Sequence, residues 1–223
     1  MKSVILRGSD KFYTVSKIIC LGQNYAEHAK ELKFEVPASP VFFFKPPSAI
    51  IHNGGQIVLP EISNDVHHEV EMTILIGEKG NNIHRYAALK HVAGYGIGLD
   101  MTMRDIQNEA KKKGLPWALA KGFDTSAPIS EFIPAEMVGD PGSLNIQLFL
   151  NGKLRQSSNT SKFVFPVDKV ITYISQFITF EPGDIIFTGT PEGVSRVDHG
   201  DKLEASLLDA NNNKLVSLSV SVQ

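Results

Sequence analysis

The strongest constraint on the fold lies in Val66-His67-His68-Glu69-Val70-Glu71-Met72-Thr73-Ile74-Leu75-Ile76-Gly77. From Glu71 onward the run is apolar and β-branched and stops at a glycine, which predicts a strand. If the strand extends back through Glu69, its period of two sets Glu69 and Glu71 on one face. Met72, Ile74 and Ile76 then take the other face and pack. Adjacent carboxylates at the entrance to an apolar strand repel each other and must be solvated, protonated or bridged by a cation. A third acid, Asp100, closes the glycine-spaced run Tyr95-Gly96-Ile97-Gly98-Leu99-Asp100. Three carboxylates at strand ends point to a hard divalent cation, Mg2+ or Mn2+. The same acids also fit ordinary solvated charges at strand edges.

With 223 residues, one domain spanning 1–223 is the expectation, with residues 1–17 as a short N-terminal hairpin packed on it. A formal net charge of −2 gives no electrostatic reason for nucleic acid or an anionic membrane as partner. The single cysteine, Cys20, rules out an internal disulfide and fits a reducing compartment. Its apolar setting, Ile18-Ile19-Cys20-Leu21, predicts a buried inert thiol. The stretch Met1 to Gly8 has no secretory pattern and no apolar run is long enough to span a bilayer, so the expected location is the cytoplasm.

Along the chain, Asn24 followed by Glu27 resembles a capping box and predicts a short helix. On that helix His28 and Glu31 share a face. A carboxylate beside an imidazole orients it and raises its basicity, as a general base requires; a surface ion pair has the same spacing. Val41-Phe42-Phe43-Phe44-Lys45 reads as an aromatic strand, with Lys45 either aimed at a ligand anion or exposed. The three glycines of Val92 to Leu99 predict bends or close backbone approach. Thr102 to Gly114 reads as a helix capped by Thr102, with Arg104 and Gln107 on one face near Asp100. Its triple lysine fits favourable charge at a helix C-terminus. Lys121, in an apolar stretch, is either snorkelling or functional.

Farther on, Asn151-Gly152 marks a hairpin. Val167 to Ile178 predicts a core helix whose stripe is Val167, Val170, Ile171, Ile174, Phe177 and Ile178. Thr188-Gly189-Thr190-Pro191-Glu192-Gly193 offers hydroxyls and backbone amides, either to hold a carboxylate or to make a turn. Many strands, few helices and no regular βαβ alternation predict a β-rich α+β fold.

Taken in order, several motifs are collectively recognisable: Gly22-Gln23-Asn24-Tyr25-Ala26-Glu27-His28, Lys45-Pro46-Pro47, His68-Glu69-Val70-Glu71 and Leu99-Asp100-Met101-Thr102-Met103-Arg104-Asp105. Lys111-Lys112-Lys113-Gly114-Leu115-Pro116-Trp117, Ala120-Lys121-Gly122-Phe123-Asp124 and Thr188 to Gly193 follow. From about Ile18 to the end, the chain resembles the fumarylacetoacetate hydrolase family, in particular its small acylpyruvase and oxaloacetate decarboxylase/tautomerase branch. The resemblance implies a mixed β-roll with a few short helices that usually dimerises, so a homodimer is expected. It implies Mg2+ or Mn2+ on Glu69, Glu71 and Asp100. It also implies a water-activating His28–Glu31 dyad on a lid, and Lys121 as the active-site lysine. Arg104, Gln107 and Thr190 match positions near the substrate's carboxylate or oxygens, and Lys45 and Gln23 join them as candidates. Gln23 stands where this branch commonly has arginine, which bears on substrate choice. The implied substrate is a 2-oxo acid, and the reactions are acylpyruvate or fumarylpyruvate C–C hydrolysis or isomerisation, oxaloacetate decarboxylation, or keto–enol tautomerisation. Two other readings compete. His67 or His68 with Glu71 has the makings of a two-His-one-carboxylate iron site. A binding module that keeps the fold without turnover is the other.

Overall fold

Strand alternation sorts the chain into two cores. In Ile18–Gly22, Ile18 and Cys20 join one cluster, whereas Ile19 and Leu21 join the other. The same happens in Val70–Ile76: Met72, Ile74 and Ile76 enter the larger core, as their period-two spacing predicts, and Leu75 faces the smaller one. The computed structural model describes residues 2–26 and 37–223. The expected helix carrying His28 and Glu31 therefore lies outside the described residues.

In chain order the strands are β1 (Ser3–Ile5), β2 (Phe12–Thr14), β3 (Ile18–Gly22), β4 (Val41–Lys45), β5 (Ile50–His52) and β6 (Gln56–Ile57). Then come β7 (Val66–His68), β8 (Val70–Ile76), β9 (Val92–Leu99), β10 (Thr102–Met103), β11 (Ala127–Ile129) and β12 (Ile133–Pro134). The last are β13 (Asn145–Leu150), β14 (Lys153–Asn159), β15 (Ile185–Phe187), β16 (Ser195–Arg196), β17 (Lys202–Leu208) and β18 (Lys214–Val222). The helices used below are α1 (Arg104–Lys112), α2 (Ala118–Lys121) and α3 (Val167–Ile174).

A curled sheet of order β4-β3-β15-β8-β9-β11-β5 forms the backbone of the molecule, with β12 added on β9. It mixes parallel pairs (β3 with β15, β5 with β11) and antiparallel ones. The larger core lies between it, α3 and a second sheet of order β14-β13-β17-β18-β6. The expected N-terminal hairpin is present as β1 and β2, and Leu6 bridges to Phe132. Asn151 and Gly152 both take positive φ, which matches the twist of the β13–β14 hairpin. The fold is thus the β-rich α+β arrangement that the strand count implies. Among the described residues no helix is long and apolar enough to cross a membrane.

The glycines of β9 let neighbours approach closely. A Cβ on Gly98 would meet the Phe187 ring at 2.7 Å and the Thr73 methyl at 2.9 Å. Gly98→Ala should cost about 1–3 kcal/mol through overpacking. Urea unfolding tests this, and an unchanged midpoint would remove the close-approach explanation.

Two expectations need correction. Thr102 does not cap α1: it lies in β10, its hydroxyl donates to the Asp100 carbonyl, and the N-cap residue is Met103 with no side-chain cap. The core helix ends at Ile174, not Ile178. Bonds from Gln176 N to Tyr173 O and from Phe177 N to Ile174 O tighten the last turn and swing Phe177 outward, leaving it 64% exposed. Asn24 also staples segments: its Oδ1 accepts from Phe165 N, and its Nδ2 donates to the Phe165 and Thr188 carbonyls, whereas its expected capping-box partner Glu27 lies outside the described residues.

Candidate metal centre

Glu69 occupies the corner between β7 and β8, where the chain changes sheets. β7 pairs with β10 and β16, whereas β8 pairs with β9 and β15. The strand expected to run through Glu69 is therefore interrupted there. Register nevertheless brings the acids together: Glu71 sits opposite Gly98, and Asp100 N donates to the Glu69 carbonyl at 2.8 Å. Glu69, Glu71 and Asp100 each offer one oxygen, all within 4.8 Å of one another, and all three residues are buried. An all-oxygen, carboxylate-only donor set suits a hard divalent cation.

Cationic side chains surround the acids. Lys121, on the last turn of α2, places Nζ 2.7 Å from Glu69 Oε2 and 2.7 Å from Asp100 Oδ2. Lys45 Nζ lies 2.8 Å from Asp100 Oδ1 and also donates to Met101 O, Ser126 Oγ and the Lys121 carbonyl. Arg104 pairs with Glu69 Oε1 and donates to Gln107 Oε1 at 2.7 Å. The aromatic strand supports this layer: the Lys121 ammonium stands 5.0 Å from the centre of the Phe43 ring, which itself packs edge-on against Trp117.

Glu71 is the electrostatic outlier. Burial, then the nearby Asp100 and Glu69 carboxylates, push its carboxyl well above the usual carboxylate range. Its Oε2 accepts from Gly189 N at 2.6 Å. For Lys121, burial disfavours the charge, but Asp100 and Glu69 outweigh it and raise the ammonium above its ordinary value. Both directions describe carboxylates packed close enough to repel one another, a repulsion that a cation bound between them relieves.

The loop Thr188 to Gly193 thus holds a carboxylate, but it is the protein's own. It is fixed at several points. Thr188 Oγ1 donates to Met72 O, and Gln156 Nε2 donates to Thr190 Oγ1 and to Pro191 O. Gly189 has φ of +91°, and a Cβ there would come within 2.8 Å of Asn24 Cβ, so only glycine fits this approach to Glu71.

Of the residues expected at the site, Glu69, Glu71, Asp100, Lys45, Arg104, Gln107 and Lys121 form this one cluster, and Thr190 sits one residue from Gly189. Gln23 lies in the turn leaving β3, half-buried, with a positive φ of 59°. His28 and Glu31 lie outside the described residues. Lys45 is neither exposed nor open to a ligand: it is buried and committed to Asp100. His67 pairs with Asp65, and both ring nitrogens of His68 are engaged by Gln156 and Ser195. The two histidines are thus turned to other partners, away from any iron site with Glu71. Sequence reasoning missed Gln156, because a single polar residue at an inward strand position has no pattern of its own.

The model of the fumarylacetoacetate (FAA) hydrolase C-terminal family matches residues 17–223. Oxaloacetate tautomerase FAHD1, mitochondrial, from Rattus norvegicus is 46% identical over 190 residues, covering 85% of this chain and 86% of the relative. The Homo sapiens protein of the same name is 43% identical over 206 residues, covering 92% and 91%. Among solved structures, fumarylpyruvate hydrolase from Pseudomonas aeruginosa in complex with Mn2+ and pyruvate superposes with a TM-score of 0.92. It is 37% identical, with 99% of this chain and 95% of that one covered. The chain belongs to the fumarylacetoacetate hydrolase family.

Proposed function

We propose that the protein is a divalent-metal-dependent enzyme of 2-oxo acids that works through their enolates, with keto–enol tautomerisation of oxaloacetate as its reaction. The observation that carries this is the buried convergence of Glu69, Glu71 and Asp100 within reach of Lys121. The tautomerase relatives at 43–46% identity support the choice of reaction. Hydrolysis of a fumarylpyruvate-type C–C bond is the second reading, favoured by the likeness to the structure holding Mn2+ and pyruvate. Oxaloacetate decarboxylation would use the same enolate.

Glu69, Glu71 and Asp100 would hold Mg2+ or Mn2+. When bound, the cation supplies fixed positive charge to the enolate oxygen of a 2-oxo acid. The chain's own charges then set which acid fits. Three acids face Lys45, Arg104 and Lys121, so the ionised cluster is neutral and a divalent ion leaves it with two positive charges in excess. A dicarboxylic 2-oxo acid, such as oxaloacetate or fumarylpyruvate, brings the matching charge. Arg104, oriented by Gln107, and Lys121 would steady the ligand's carboxylate and oxygens. His28, paired with Glu31, would take the proton from carbon 3 and return it to oxygen; in hydrolysis the same pair would deprotonate water. A homodimer belongs to this proposal and is checked by sedimentation.

The test is turnover of keto- and enol-oxaloacetate, fumarylpyruvate and simple acylpyruvates with Mg2+, with Mn2+ and after chelation. Interconversion of the oxaloacetate forms should be fast with metal and vanish in EDTA. Activity that survives chelation, or tight oxalate binding with no turnover of any of these acids, would overturn the proposal. His28→Ala should impair hydrolysis more than decarboxylation.

A further inference from the structure

Gln156 lies on β14, 1% exposed, and links the β7–β8 corner to the loop after β15. Backbone groups at both ends of its amide leave only one orientation. Its oxygen accepts from Val70 N at 3.1 Å, and a backbone N–H can only donate. Its nitrogen lies 2.9 Å from Pro191 O, and a carbonyl can only accept. The amide nitrogen therefore also donates to Thr190 Oγ1, at 2.8 Å. His68 Nδ1, 2.9 Å from the same amide oxygen, must carry its hydrogen to be a partner there. Hydrogen bonds from Val70 N and His68 thus lock Gln156, and Gln156 makes Thr190 an acceptor on its protein side.

A hydroxyl that accepts from the protein keeps its own hydrogen for something else. Among the described residues no acceptor is paired with that hydrogen. Thr190 is 4% exposed and follows Gly189, whose N–H holds Glu71. We propose that Gln156, itself locked by His68, is a positioning residue that obliges Thr190 to donate its hydroxyl hydrogen to an anionic or carbonyl oxygen of the bound 2-oxo acid. The pairing selects ligands with an acceptor at that point and disfavours ligands presenting a hydroxyl donor without one. This inference rests on the 2-oxo acid reading given above.

The test uses Mn2+-saturated protein titrated with pyruvate by calorimetry, with thermal unfolding of each variant as control. Thr190→Val should weaken pyruvate about tenfold or more, the size of a lost hydrogen bond to a charged acceptor. Thr190→Ser should restore binding to within about threefold of wild type, a margin much smaller than that loss. Gln156→Met should weaken binding as well, and the Thr190→Val/Gln156→Met double variant should bind no more weakly than Thr190→Val alone. A merely structural Gln156 would lower the unfolding temperature and give additive losses. Additive losses, or full-strength binding by Thr190→Val, would overturn the inference. If Gln156→Met does not fold, the Thr190→Val and Thr190→Ser pair still decides whether the hydroxyl donates. Wild type that neither binds pyruvate nor turns over any 2-oxo acid removes the functional reading and this inference together. An active wild type with an unimpaired Thr190→Val variant removes the inference alone.

Discussion

Lys121→Met is expected to lower turnover by at least about a hundredfold and to destabilise the metal-free protein by about 3–5 kcal/mol. Both effects follow from one position. The ammonium is buried and lies 2.7 Å from an oxygen of Glu69 and of Asp100. Removing it leaves Glu69 and Asp100 with fewer counter-charges than acids around them, Arg104 and Lys45 still being in place, and an uncompensated buried charge costs far more than losing an exposed ion pair. The two effects are separable. Saturating Mn2+ replaces the missing counter-charge, so most of the lost stability should return while turnover stays low. Chemical unfolding with and without Mn2+, beside an oxaloacetate assay, makes the comparison. Full turnover in the variant would remove Lys121 from the chemistry, and a stability loss untouched by Mn2+ would mean that its role is in packing.

Glu71→Gln should do the reverse: stabilise the metal-free protein and abolish its response to metal. Burial, Asp100 and Glu69 raise the folded-state value of this carboxyl above its unfolded value. The stability it contributes is therefore fully present below the ordinary carboxylate range and is lost as pH rises through the folded value. At neutral pH and above, the wild type holds a strained acid that the neutral amide avoids, while the bond from Gly189 N still finds an oxygen to accept it. In EDTA the variant's unfolding midpoint should exceed that of the wild type, by a margin that grows with pH. With Mn2+ at about a hundred times its dissociation constant, the wild type should gain about 2.7 kcal/mol and the variant almost nothing. For the same reason wild-type metal affinity should rise with pH. A variant still stabilised by Mn2+ would show that Glu71 is not a ligand.

How much of this was legible beforehand depended on whether the pattern was local. Glu69, Glu71 and Asp100 stood out because strand period and strand ends are local features, and the packing face of Met72, Ile74 and Ile76 follows from the same period. The ordered motifs added the family, which no single spacing carried. The residues around Lys45 suggest a ligand-facing or exposed ammonium. Its true partner, Asp100, is set by register within the large sheet and by α2 folding over β4, which no window around Lys45 contains. Thr102 looks like a helix cap because a short polar side chain before a helical pattern usually is one. Here its hydroxyl is taken by the Asp100 carbonyl, and the helix starts after Met103. Phe177 has the right spacing for the core stripe, but the helix tightens before reaching it. Gln156 was invisible because its meaning lies in four backbone and side-chain groups from two distant segments.

The most direct test of the metal site is a crystal grown with Mn2+ and examined by anomalous scattering at the manganese edge. One strong peak per chain is expected, about 2 Å from an oxygen of each of Glu69, Glu71 and Asp100. A peak elsewhere, or none at these oxygens in an enzyme whose turnover depends on Mn2+, would contradict the assignment of this carboxylate cluster as the metal centre.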